Sequence, residues 1–347
     1  MPPGLEMHRV RRRLLQLVAL VVALGVLLML VPGLAEVRHR LARASVAWLA
    51  PAITLELLSC VAYVVAFRAA FCARMTWRMS YRIGMSSLGA AALLPVGGAG
   101  GLALGAWALR RGGLPVERIA RRTVAFFAIT SAVNVGAVIL TAAALALRIV
   151  PGPHRLLITV GPAALALAVV LLVLAVPRLA RRLVGRFSSD GRATLARTVA
   201  RALQAIADGV GEAVALLRAR DARLLGGAIG YLAFDIGVFW ASFRAFGAAP
   251  PLAALLLAYL LGQLGSLIPV PGGIGGVEAG LVGALVLYGT PVAAATVGVI
   301  LYRAVLLLTP AALGGLAFVS LRRSLRDEAA ARIPCADDLP QVSGARL

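Results

Sequence analysis

Six stretches of this sequence are apolar for long enough to cross a lipid bilayer: residues 14–31, 45–71, 120–147, 156–177, 222–246 and 292–320. A spanning helix needs about 20 residues. An all-α polytopic membrane protein is therefore predicted. The composition agrees: of 347 residues, 61% are hydrophobic and 14% are charged, more apolar sequence than a soluble core requires. The first run follows Arg9 and Arg11–Arg13 and ends near Gly33-Leu34-Ala35, so it mimics a signal peptide. Leu14 to Val31 is long for a signal sequence, and an uncleaved first helix is expected.

Two pairs of shorter apolar segments lie between these runs, 82–94 with 98–110 and 252–268 with 274–288. Each pair is joined by a break rich in glycine and proline, LLPVGGAGG in one and LIPVPGGIGG in the other. At about 13–17 residues each, such segments reach only ~20–25 Å. The hydrocarbon core is about 30 Å thick, so the pairs read as re-entrant hairpins rather than full crossings. Irregular backbone at that depth must be buried in protein or line a wet cavity.

The two breaks also match each other. Gly97, Gly98, Gly100 and Gly101 align with Gly272, Gly273, Gly275 and Gly276 at one offset, and Gly105 aligns with Gly280. Pro115-Val116 aligns with Pro291-Val292 after one residue of slippage. The repeat unit is a long span, a broken hairpin and a long span, over about 45–148 and again over about 222–321.

Net charge is +21 and every basic residue outside the three histidines is arginine. The arginines cluster between apolar runs, which points to topology and anionic headgroups rather than nucleic acid. Placing the N-terminus, the 68–82 loop, the 110–122 loop, the 178–223 region and the tail on the cytoplasmic side satisfies most of them, with Arg38, Arg40 and Arg43 as exceptions. Counting crossings then turns the second unit upside down, because one lone span, 156–177, separates the two. The predicted architecture is six full transmembrane helices plus two re-entrant hairpins in an inverted-topology repeat, with the site near the midplane where broken helices meet. Residues 1–325 form one transmembrane domain. Within it, about 178–221 reads as a cytoplasmic amphipathic segment. Residues 326–347 read as a disordered cytoplasmic tail. Cys60, Cys72 and Cys335 carry no CxxC spacing and the three histidines are scattered, so neither a metal site nor a disulfide framework is expected.

Charges within the apolar runs are the candidates for function. Glu278 follows the second break and is either an acid held at a half-helix N-terminus by the helix dipole or a working group. Counted from the turn at 289–291, Glu278 and Arg303 lie about ten and twelve residues along opposite arms, at ~15 and ~18 Å. They can meet, and the pair either neutralises itself or presents Arg303 to a phosphate. The matching positions of the first unit are Ala103 and Phe127. Glu56 and Asp235 either pair with loop arginines or line a cavity. Gln263, Tyr302, Asn134 and Tyr259 either line a path or make interhelical hydrogen bonds. No Walker A, GxSxG or HExxH motif occurs, no βαβ unit frames the glycine runs, and no catalytic set or cofactor site is expected.

Residues 269–318 carry Pro271, Gly272, Gly273, Gly275, Glu278, Tyr302 and Arg303. This pattern resembles the membrane region of the lysylphosphatidylglycerol synthase family, whose members show a Pro-Gly-Gly-x-Gly break, a Glu soon after and a Tyr-Arg in the next helix. The resemblance implies a flippase-like membrane region, which in complete members accompanies a separate synthase domain. That domain is expected to be absent, so the synthase activity is not carried over. The implied function is movement of an anionic or aminoacylated phospholipid, or a lipid-linked molecule, across a bacterial inner membrane. Substrate-binding candidates are Glu278, Arg303, Tyr302, Gly272, Gly273, Gly275 and Gln263. The alternative is a non-transporting partner that anchors a separate lipid-modifying enzyme or glycosyltransferase through the Arg-rich 178–223 segment. A homo-oligomer is compatible with either, and an integral-membrane enzyme is the least favoured reading.

Overall fold

A computed structural model describes residues 44–93, 98–149, 194–219, 221–247, 249–264, 275–325 and 332–336, with scattered positions between 161 and 175. The expected span 14–31 and the cores of both Gly/Pro breaks (94–97 and 265–274) lie outside the described residues. The expected span 156–177 is described only at those scattered positions.

The described residues contain nine α-helices: α1 Leu49–Phe71, α2 Trp77–Leu93, α3 Gly98–Arg111, α4 Val116–Ala146, α5 Thr194–Arg218, α6 Ala222–Arg244, α7 Leu252–Leu264, α8 Gly276–Leu287 and α9 Val292–Ser324. Four of them, α1 (with its lead-in from Val46), α4, α6 and α9, are long and apolar enough to cross a membrane. The chain is thus a multi-pass membrane protein. The helices α2, α3, α7 and α8 have 17, 14, 13 and 12 residues.

Local chemistry sets several boundaries. Pro115 and Pro291 are the N-caps of α4 and α9, where a residue without an N–H leaves no helical hydrogen bond unmade. The aligned Pro-Val pairs therefore start equivalent helices. Asp221 caps α6 by accepting from the Arg223 N–H at 2.9 Å. α4 begins at Val116 rather than near 120, because that cap starts the helix within the arginine-rich loop.

Packing repeats as well. α1 touches α2, α4 and α9, and α6 touches α7, α9 and α4. α2 packs on α3 and α9, and α7 packs on α8 and α4; α3 meets α4 as α8 meets α9. Exchanging the first four helices for α6–α9 thus maps this set of contacts onto itself. The most extensive interface joins the equivalent helices α1 and α6. These two run antiparallel: Ser45 N–H donates to Ala245 O at 2.8 Å, Ser59 Oγ donates to Tyr231 O at 3.3 Å, and Gly227 abuts Ala62 and Ala66.

The hairpins cross at matching positions. A Cβ on Gly105 would lie 2.8 Å from Ser87 Oγ, and one on Gly280 would lie 3.2 Å from Gly262 Cα. The offset from Ser87 to Gly262 equals that from Gly105 to Gly280. A third close crossing joins α2 to α9, where a Cβ on Gly89 would lie 2.8 Å from Gly314 Cα.

One end of the bundle gathers the arginine-rich loops. Arg122 Nη1 donates to Ala70 O, Arg118 Nη1 to Cys335 O, and Arg82 Nη1 to Ser324 Oγ. The other end brings Pro250 and Pro251 beside Tyr288–Pro291. There the Arg244 guanidinium lies over Trp48 and Trp240, an aromatic setting typical of a membrane interface.

Two expectations are corrected at the arginine-rich end. Cys72 and Cys335 form a disulfide with Cα atoms 6.0 Å apart; a separation of 263 residues left no spacing to read. The tail is not disordered at residues 332–336. Ile333 and Cys335 are buried, and the Ile333 N–H donates to Gly112 O at 2.9 Å. The amphipathic segment is helical over α5, and it docks on α4: Gly209 lies against Val124, and Arg122 pairs with Glu212 at 2.9 Å.

Candidate functional site

The α8 N-terminus organises one charged site. Gly275, its N-cap, has φ +100°, a conformation that strains any residue with a Cβ. This sharp entry brings the Gly275 N–H to 2.7 Å from Glu278 Oε2. The same carboxylate accepts from Arg303 Nε through Oε1 at 2.7 Å. Glu278 therefore caps a half-length helix and holds the Arg303 guanidinium, as the expected meeting of the two residues requires. Arg303 engages by its Nε edge, and its terminal nitrogens have no hydrogen-bond partner among the described residues. The side chains are 15% and 25% exposed for Arg303 and Glu278, too buried for water to screen the pair fully.

Arg303 follows Tyr302 on α9, and Tyr302 points elsewhere. Its buried hydroxyl donates to Asp235 Oδ1 at 3.1 Å, and the Tyr259 hydroxyl donates to Asp235 Oδ2. Asp235 is thus held by tyrosines from α7 and α9, not by a loop arginine, while the Arg303 charge also acts on it. On α1, among the described residues, buried Glu56 receives only a weak 3.8 Å bond from the Cys60 thiol. Of the other predicted residues, Gly275 is the α8 cap. Gly272 and Gly273 lie outside the described residues, and Gln263 is described only as part of α7.

A mainly apolar cavity of about 340 Å³ lies on the first-unit side, walled by Phe67, Leu109, Phe126 and Phe127 among others, with Ser87, Thr123, Thr130, Ser131, Asn134 and Tyr259 adding polar groups. Asn134 and Tyr259 were candidates from sequence; the hydroxyl residues were not. A signal was available: residues 123, 127, 130 and 134 recur at i, i+4, i+7 and i+11, which puts Thr123, Thr130 and Asn134 in one stripe along α4. An apolar groove of about 750 Å³, formed by α4, α6 and α7, adjoins this cavity and shares Leu232 with it.

Four long apolar helices and two pairs of shorter helices define an α-helical, multi-pass membrane protein. The chain belongs to the lysylphosphatidylglycerol synthase TM region family, whose description matches residues 16–314. Membership gives it a membrane lipid-related role. A comparison with curated proteins found no match.

Proposed function

We propose that the protein is a lipid flippase, or a transporter of lipid-linked molecules, in a bacterial inner membrane. Its cargo is an anionic or aminoacylated phospholipid. The observation that carries this reading is the posture of Arg303: Glu278 holds one edge of the guanidinium, leaving the other edge to meet a phosphate bidentately. The half-length helix α8 begins beside it and adds positive dipole character. A cavity that offers a few hydroxyls and an amide, beside a wholly apolar groove, suits a molecule with a headgroup and acyl chains.

The antiparallel packing of equivalent helices α1 and α6 supports an inverted-topology repeat with two re-entrant hairpins, six full crossings and both termini cytoplasmic. In that arrangement one hairpin opens toward each face, as alternating access requires. The protein acts on its lipid without changing it covalently, and its partners are membrane lipids.

Translocation of fluorescent phosphatidylglycerol by the purified protein in proteoliposomes tests this. Arg303→Ala is expected to lose about tenfold or more of the rate, the value of a charge-assisted bond. Arg303→Lys recovers only part of it, because a point charge lacks the fork. Wild-type rates in both variants would sink the reading. A wild-type protein that moves no lipid but retains a bound enzyme on purification favours an anchoring role instead.

A further inference from the structure

The helix pair α1–α6 carries a second charged feature that the translocation reading does not use. Counting from the Ser59–Tyr231 bond, three residues back along α1 and four forward along α6, places Glu56 opposite Asp235. Both residues are 2% exposed, near the middle of two spans, and their charges act on each other. The interface is the one between repeat-equivalent helices, where the exchange axis of the fold passes.

The two acids are provided for unequally. Asp235 accepts from two tyrosine hydroxyls. Glu56 Oε2 is buried and has no hydrogen-bond partner among the described residues. An orphaned polar atom of this kind is costly even when uncharged. Charge balance makes the imbalance larger. Arg303 is already matched by Glu278, so Glu56 and Asp235 together leave two uncompensated negative charges if both ionise. Two bare carboxylates facing each other inside hydrocarbon are not sustainable. The groups around them are the Cys60 thiol and Ser59 on α1, Tyr231 on α6, Tyr259 on α7, and Tyr302 and Arg303 on α9. Of these only Arg303 is cationic.

We propose that Glu56, backed by Asp235, binds a small monovalent cation, a proton or a sodium ion, at the crossing of α1 and α6. The vacant Oε2 is the ligand atom, and the cation supplies the positive charge that the fold omits. Occupancy is connected to the rest of the molecule through Asp235. Tyr302 joins Asp235 to the backbone neighbour of Arg303, and Tyr259 joins it to the wall of the first-unit cavity. An emptied site therefore presents a different charge to both.

Binding is read on the purified full chain in detergent, so the outcome is independent of whether the chain moves lipid. Dicyclohexylcarbodiimide attacks protonated carboxyls in apolar surroundings. Labelling of wild type, mapped by mass spectrometry, is expected at Glu56 and is lost as the buffer is made alkaline. Replacing choline chloride by sodium chloride at fixed pH separates the sources: protection means that sodium competes for the site, and no protection means a proton alone. In parallel, infrared difference spectra between acidic and neutral buffer should show a protonated-carboxyl stretch that Glu56→Gln abolishes. If Glu56 is unlabelled in wild type and the stretch is unchanged in Glu56→Gln, the proposal is overturned.

Discussion

The two halves of this molecule share a framework but not a chemistry. Around the first hairpin, α2 and α3 face a largely aromatic and aliphatic cavity with a few hydroxyls and an amide, and Phe127 stands where the second half has Arg303. Around the second, α8 begins on Glu278 and an ion pair. Helix order, caps and hairpin crossings repeat, because a helix that must be approached closely needs small residues wherever it occurs. Charge does not repeat, because packing never required it. Differences at equivalent positions of an otherwise repeated frame are differences that packing alone does not explain.

The largest expected effect tests the shared frame. Gly314→Leu drives a side chain into Met85 O, 2.5 Å from the Cβ position, and into Gly89. Backbone cannot yield there, so about 1–3 kcal/mol or more is lost, read as a lower thermal midpoint in detergent. Next comes the contrast between hairpins. The first already tolerates Ser87, whose hydroxyl donates to Ile83 O at 2.8 Å. In the second, a Cβ on Gly262 would lie 2.4 Å from Leu281 Cδ2. Gly262→Ser should therefore destabilise by about 1–2 kcal/mol, while Ser87→Gly changes less; equal losses would deny that position 262 is more confined than its equivalent, position 87.

The charge contrast comes third. Glu278→Ala removes both the α8 cap and the Arg303 partner, whereas Glu278→Gln retains an acceptor for Gly275. Alanine should lower the midpoint further, by about 1 kcal/mol; identical midpoints would mean that the cap contributes nothing. On the neutral side, Asn134→Ala should slow lipid translocation only about threefold, the scale of one interhelical hydrogen bond at ~0.6 kcal/mol. A loss as large as that of Arg303→Ala would move the site into the first half. The smallest effect is expected from Glu212→Gln. Its pair with Arg122 is 21–26% exposed, and pairs open to solvent contribute about 0–1 kcal/mol.

Contrasting residues show how far the sequence could be read. The meeting of Glu278 and Arg303 was legible because both are counted from one turn, so helix rise alone gives their depths. The four long helices and the paired proline caps were legible for a similar reason, since each is written in a local pattern. Glu56 and Asp235 were visible as buried charges, but no common turn relates them. Tyr302 stands with Arg303 among the candidates because the family resemblance carries a contiguous Tyr-Arg pair. On a helix, successive side chains diverge by about 100°, and Tyr302 turns to Asp235 instead.

Length, apolar runs, glycine spacing and arginine placement by themselves determined an all-helical membrane protein in which long spans alternate with pairs of shorter helices. These properties follow from solvation and helix geometry within a few turns of chain. Tertiary structure alone decided that Glu56 faces Asp235, that Ser87 and Asn134 share a cavity, and that Cys335 returns to Cys72. Each depends on the register between segments far apart in the chain. That register is set by the antiparallel seating of α1 on α6 and by the closing of the arginine-rich end, and no local pattern encodes it.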